Sequence, residues 1–191
     1  NRLTVFDLEK HTSKTYSWEA RKSISRIAIS SDDRTLVVVD IDGRCMCVNM
    51  INGAVTHRMN FKKPVRCVKI SPCGMYVAVT HGRQVQIWRM PNGGKSLRPF
   101  ELHRTFTGHY ADVTCLDWSR DSSWVVTGSE DTTARIHSRD PVEGFVPITL
   151  SGHRSTLVGV YWRDGANGLW TVSRDGSLFV WRWQTRQSVH D

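Results

Sequence analysis

The chain has 191 residues, with 26 Lys plus Arg against 18 Asp plus Glu and a net charge of +8. It is 39% hydrophobic and 23% charged, which excludes a disordered tail. No stretch approaches the roughly 18 consecutive apolar residues of a membrane-spanning helix. Asn1 to Leu8 holds neither a Met nor an apolar signal core, so the sequence is expected to be a fragment whose true N-terminus lies upstream. Five cysteines in a chain this long do not make a disulfide scaffold, and a reducing compartment is the simpler expectation.

Leu3-Thr-Val-Phe6 reads as a strand left over from an earlier unit. Then one pattern recurs four times: Ile24-Ser-Arg-Ile-Ala-Ile-Ser30, Val65-Arg-Cys-Val-Lys-Ile-Ser71, Val113-Thr-Cys-Leu-Asp-Trp-Ser119 and Leu157-Val-Gly-Val-Tyr-Trp-Arg163. Successive starts are 41, 48 and 44 residues apart. Each run leads through turn formers to a second β-rich run: Leu36–Val39, Tyr76–Val79, Trp124–Thr127 and Leu169–Val172. A tight turn follows, and a third run ends at Val48, Trp88, His137 or Trp181. A weaker fourth strand leads to the next unit, as in Val146-Pro-Ile-Thr-Leu150. Short strands with frequent turns predict an all-β protein, and a four-stranded unit of about 40–45 residues has the size of a propeller blade. No helical periodicity competes.

The charge is uneven along these units. The 58 residues from 43 to 100 contain no Asp or Glu and ten basic residues, so that window carries +10 and the rest of the chain −2. Such a window can sit against a polyanion. In a propeller, the loop entering the first strand and the turn before the third lie on one face. That places Arg58, Lys62, Lys63 and Arg83 near each other, with Arg21 and Lys22 in the entry loop of the preceding unit. Lys95 and Arg98 fall toward the opposite side or the rim. These side chains are the candidates for RNA-phosphate or acidic-partner contact, with little sequence preference.

Other chemistry is weaker. His153, Ser173 and Asp175 are the residue types of a hydrolase triad. Yet His109 and Asp131 repeat the 22-residue spacing of His153 and Asp175, and a repeated constellation reads as structural. No catalytic role is therefore expected. Gly93-Gly94-Lys95-Ser96 lacks the Gly five positions before Gly94, where Arg89 stands, and reads as a turn rather than a phosphate loop. Cys45 and Cys47 share a strand face but lack the spacing and second pair of a zinc site. No metal or cofactor is expected. Trp88, Trp118, Trp162 and Trp181 fall at repeat-phased positions and read as packing residues.

The residues of the last two units resemble a known repeat. Gly108-His109, Asp131 and His137, and Gly152-His153, Asp175 and Trp181, share spacings of 22 and 28 from the His. This resembles the WD40 repeat. The resemblance implies a hydrogen-bonded brace in each blade, here His153, Thr171 or Ser173, Asp175 and Trp181, with His109 and Asp131 in the unit before. Three units depart: one ends in His137, one lacks both His and Asp, and one keeps only Asp42. The expected fold is a partial WD40 β-propeller of about four to five blades of four-stranded antiparallel sheets, part of a larger propeller. The expected divisions are 1–18 (end of a blade), 19–60, 61–107, 108–151 and 152–191 (most of a further blade).

Three further segments extend the resemblance over essentially the whole chain: Asn1–Leu8, Phe100–Gly108, and Thr114–Trp118 with Asp121-Ser122 and Gly128-Ser129. They are similar to the N-terminal propeller of the periodic tryptophan protein 2 family. That resemblance implies a non-catalytic scaffold of the small-subunit processome in the nucleolus of the nucleus, acting in ribosome biogenesis and 18S rRNA maturation. It implies as partners other WD40 propeller subunits, U3 small nucleolar RNA and the 5′ external transcribed spacer of precursor rRNA, and neither a membrane nor a small-molecule substrate. The rival expectation is a protein-only adaptor for acidic or phosphorylated peptides.

Overall fold

The computed structural model describes residues 2–17, 22–91, 100–163 and 168–183. All its regular structure is strand. In chain order the strands are β1 (Arg2–Asp7), β2 (Thr12–Ser17), β3 (Ile24–Ile29), β4 (Thr35–Asp40), β5 (Arg44–Asn49), β6 (Val55–Asn60), β7 (Val68–Ile70), β8 (Tyr76–His81) and β9 (Gln84–Arg89). They continue as β10 (Glu101–Phe106), β11 (Val113–Trp118), β12 (Trp124–Ser129), β13 (Ala134–Ser138), β14 (Ile148–Leu150), β15 (Leu157–Trp162), β16 (Gly168–Ser173) and β17 (Leu178–Arg182). β1–β2 form a hairpin, β3–β6, β7–β10 and β11–β14 form four-stranded sheets in sequence order, and β15–β17 form a three-stranded one. Every pairing is antiparallel.

Side chains alternate across a strand, and here each alternation feeds two different cores. Leu36 and Val38 of β4 pack with Val48 and Leu3 toward the β1–β2 hairpin, whereas Val37 and Val39 pack with Val77 and Val79 of the next sheet. Tyr76 and Ala78 of β8 face the other way, onto Val113, Leu116 and Val125. Val126 of β12 then joins Leu157, Val160 and Leu169. The second strand of each middle sheet is thus apolar on both faces and buried on both. Each such Val or Leu contributes about 1.5–3 kcal/mol, so the sheets are held face to face as successive blades.

The repeat register is kept. Leu36 pairs with Val48, Val77 with Trp88, Val125 with His137 and Leu169 with Trp181. The first strands carry a bulge at a common place, beside Ser25, Thr114 and Val158. β7 is shorter than its repeat partners. There the Cys67 amide donates to the Thr80 hydroxyl at 2.9 Å, while the Cys67 carbonyl accepts from the Thr80 amide at 3.0 Å.

Polar ties cross between blades. Lys69 on β7 donates to Asp117 Oδ1 on β11 at 2.8 Å, and the Trp162 amide on β15 donates to Asp117 Oδ2 at 2.8 Å. One carboxylate therefore joins three sheets. Asp117→Ala leaves the Trp162 amide and the Lys69 ammonium without their acceptor, and should cost about 1–3 kcal/mol in chemical unfolding. An unchanged midpoint would show that water replaces the carboxylate at no cost.

Candidate functional site: hydrogen-bonded braces and a basic interblade cleft

Two polar relays run through the blades formed by β11–β14 and β15–β17. In the second, Trp181 Nε1 donates to Thr171 Oγ1 at 2.9 Å, and Thr171 meets His153 Nε2 at 2.6 Å. His153 Nδ1 meets Ser173 Oγ at 3.0 Å, and Ser173 donates to Asp175 Oδ1 at 2.5 Å. The ends fix the direction, because an indole N–H only donates and a carboxylate only accepts. Thr171 therefore donates to Nε2, and His153 is neutral with its proton on Nδ1. Burial pushes its pKa down, consistent with that form. Asp175 is held at about 2, first by the Ser173 hydroxyl and then by the Ser177 amide. Both Thr171 and Ser173 take part. The serine stands between His and Asp, whereas a hydrolase triad needs the His in the middle to accept the nucleophile's proton.

The preceding blade runs the same relay with two changes. His109 Nδ1 donates directly to Asp131 Oδ2 at 2.8 Å, and Thr127 Oγ1 lies 2.9 Å from His109 Nε2. Burial alone would raise the Asp131 pKa, but bonds from Thr133, the Tyr110 amide and His109 hold it at about 2. His137 occupies the tryptophan position and meets Thr127 Oγ1 through Nε2 at 3.3 Å. An Nε2–H replaces the indole N–H as donor. The cost is a buried Nδ1 with no partner among the described residues. Phe106 stacks on the His137 ring at 4.5 Å. Burial pushes the His137 pKa down to about 3, helped by repulsion from His109 and Arg135.

The other two complete sheets have no such relay. In one, His81 Nδ1 lies 3.5 Å from the Pro64 carbonyl and its Nε2 has no partner among the described residues. In the other, the turn assigned to Asp42 is closed by Asp40 instead, whose Oδ1 accepts from the Asp42 and Arg44 amides at 2.9 and 2.8 Å. A carboxylate two residues earlier does the same job, a substitution that turn spacing does not reveal.

On the face that carries the entry loops and the second-to-third-strand turns, a cleft of about 720 Å³ opens between the β7–β10 and β11–β14 blades. Lys63 and Arg83 line it, with Arg66, His81, His109 and Asp112 among their neighbours. The β6–β7 loop is held close to the preceding turn. The Phe61 amide donates to the Gly43 carbonyl at 2.9 Å, and a Cβ on Gly43 (φ 83°) would lie 2.1 Å from the Lys63 carbonyl oxygen.

The structure sorts the basic window. Arg66 bridges Glu130 at 2.6 Å and Asp112 at 3.2 Å, Lys69 is paired with Asp117, and Arg89 lies 3.9 Å from Glu101. Those acids all lie beyond the acid-free window, so the window is not acid-free in space. Arg58, Lys62, Lys63 and Arg83 are exposed and make no ion pair among the described residues. Lys63 and Arg83 share the cleft. Lys62 lies beside it in sequence with a positive φ of 63°, and Arg58 lies on the outer strand β6. Lys22 is exposed ahead of β3, and Arg21 lies outside the described residues, as do Lys95, Arg98 and the Gly93–Ser96 turn.

The sheets, their repeat register and the two braces define a WD40-repeat β-propeller protein. The WD domain, G-beta repeat family matches at residues 54–89 and 100–138. A chain in the crystal structure of the mitotic checkpoint complex shares the fold, with a TM-score of 0.78 and 15% identity over 95% of this chain and 54% of that one. The chain is homologous to Periodic tryptophan protein 2. It is 43% identical to the Schizosaccharomyces pombe homolog over 96% of this chain and 22% of that protein. It is 39% identical to the Saccharomyces cerevisiae protein (100% and 21%) and 37% identical to that of Arabidopsis thaliana (95% and 21%). The chain thus spans about a fifth of the length of these curated relatives.

Two consequences are measurable. Thr171→Val removes the hydroxyl that links Trp181 to His153 and leaves an indole N–H and a ring nitrogen unpaired. It should cost about 1–3 kcal/mol in denaturant unfolding, while Thr171→Ser costs less. Acid should also destabilise the fold. Below pH 6.5 the unfolded chain protonates His137 and the folded chain does not, so stability falls from about pH 6.5 toward pH 3. By pH 4 the loss from this one group is about 3 kcal/mol. His137→Gln, which keeps an N–H donor, should flatten the decline between pH 7 and 4; an unaltered slope would assign it to other groups.

Proposed function

We propose that this chain is a non-catalytic propeller scaffold acting in ribosome biogenesis. It works as part of the small-subunit processome in the nucleolus and supports 18S rRNA maturation. The observation that carries the reading is the homology to Periodic tryptophan protein 2 over nearly the whole chain. The geometry fits a scaffold. The polar side chains that could do chemistry are bonded to each other within blades, and the uncommitted charge lies on the surface. Other propeller subunits would dock on faces and rims. U3 small nucleolar RNA and the 5′ external transcribed spacer would meet Lys62, Lys63 and Arg83 on the cleft face, with Arg58, Arg21 and Lys22 as further contacts. Long flexible cations suit phosphate oxygens without reading sequence.

Ultraviolet crosslinking of the full-length protein to RNA in living cells tests this. Reads should concentrate on U3 and the 5′ spacer, and Lys62→Glu with Lys63→Glu should lower the recovered RNA about tenfold by reversing charge at the phosphates. RNA recovery unchanged by the double reversal would remove these lysines from the interface. Recovery at background from wild type would reassign the basic face to an acidic protein partner.

A further inference from the structure

One hydroxyl in the basic cleft has no structural duty. Thr107 lies in the short loop between β10 and β11 and is exposed. It lines the cleft with Lys63 and Arg83, and it is the one hydroxyl-bearing residue among the described residues that do so. The hydroxyls around it are engaged. Thr127 lies 2.9 Å from His109, Ser129 donates to the Ala111 carbonyl at 3.1 Å, and Thr133 donates to Asp131 at 2.6 Å. The Thr107 hydroxyl has no hydrogen-bond partner among the described residues.

The place of Thr107 is set from both sides. Phe106 before it is buried and stacks on the His137 ring at 4.5 Å. His109, two residues on, is buried and held by Asp131 at 2.8 Å. Gly108 between Thr107 and His109 has a φ of 127° and brings no side chain over the hydroxyl.

The surroundings favour a dianion. Lys63 and Arg83 make no ion pair among the described residues. Asp112 is the only acid among the described lining residues, and Arg66 offsets it at 3.2 Å. A phosphothreonine carries a charge of about −1.5 to −2 and three acceptor oxygens, which form charge-assisted hydrogen bonds where cations stand opposite.

We propose that Thr107 is a phosphorylation site whose phosphate docks on Lys63 and Arg83 and closes the cleft to RNA. A protein kinase supplies the group. Thr107 Oγ1 attacks the γ-phosphorus of a nucleoside triphosphate, and the bond from that phosphorus to the bridging oxygen breaks. The nucleoside diphosphate leaves with the electron pair, and the hydroxyl proton passes to the kinase's base. Closure to RNA rests on the RNA-contact reading above; the modification and its docking do not.

Two measurements on the full-length protein test this. Mass spectrometry of protein purified from growing cells should find phosphate on Thr107. Thr105, exposed two residues earlier on β10 and outside the cleft lining, is the internal control. Phosphate absent from Thr107, or present on Thr105 alone, overturns the site. The second measurement uses protein with phosphothreonine installed at position 107 by codon expansion. Its second pKa, followed by phosphorus NMR, should fall below the usual value of about 6 and return toward it in Lys63→Gln and Arg83→Gln. A value of about 6 that neither variant moves overturns the docking. Affinity for a short oligouridine should be about tenfold lower than in the unmodified protein. A docked phosphate with unchanged oligouridine affinity leaves the site standing and overturns its closure to RNA. Unmodified protein that binds no oligouridine overturns that closure and the RNA-contact reading together.

Discussion

A β-strand that is apolar on both faces cannot stand at the surface of anything. Val37 and Val39 must be covered from one side and Leu36 and Val38 from the other, and the same holds along β8 and β12. A sheet can bury both faces only between two other layers, and a twisted sheet repeated in this way turns about an axis. Radial stacking of blades is the solution to that demand. The contrast with β16 is instructive: one face has no neighbouring sheet among the described residues, and there Trp170, Tyr161 and Val158 are exposed. Apolar contacts between sheets, more than anything within a sheet, set where every loop stands.

Polar groups then settle which loops meet. The Trp–Thr–His–Ser–Asp relay ties the entry loop of a blade to its own second and third strands, so the loops of one face are fixed relative to the core. Where the tryptophan is replaced, His137 keeps the donor and surrenders one buried lone pair. The blade still forms, because the cluster around Val85, Ile87, Phe106 and Leu116 holds it from the neighbouring side. Braces refine loop position, and packing supplies the bulk of the stability.

This division explains what could be read in the sequence. Period, strand order and the brace at His153 were legible, since each depends on residue type at a fixed spacing. The shorter β7 was not; there the Thr80 hydroxyl meets the Cys67 amide, a contact between strands that residue spacing does not report. Nor was the closure of a turn by Asp40 rather than Asp42, where two carboxylates of equal chemistry lie two residues apart.

The basic window shows the limit most clearly. Counting charge along the chain merges two populations. Arg66 and Lys69 are structural, since each reaches across to an acid on the next blade, and Arg89 has a cross-strand acid beside it. Lys63 and Arg83 make no ion pair among the described residues, although Asp112, held by Arg66, lines the same cleft. What separates the two populations is whether an acid stands within reach across a blade or a strand, and that is set by the fold, not by the order of residues along the chain.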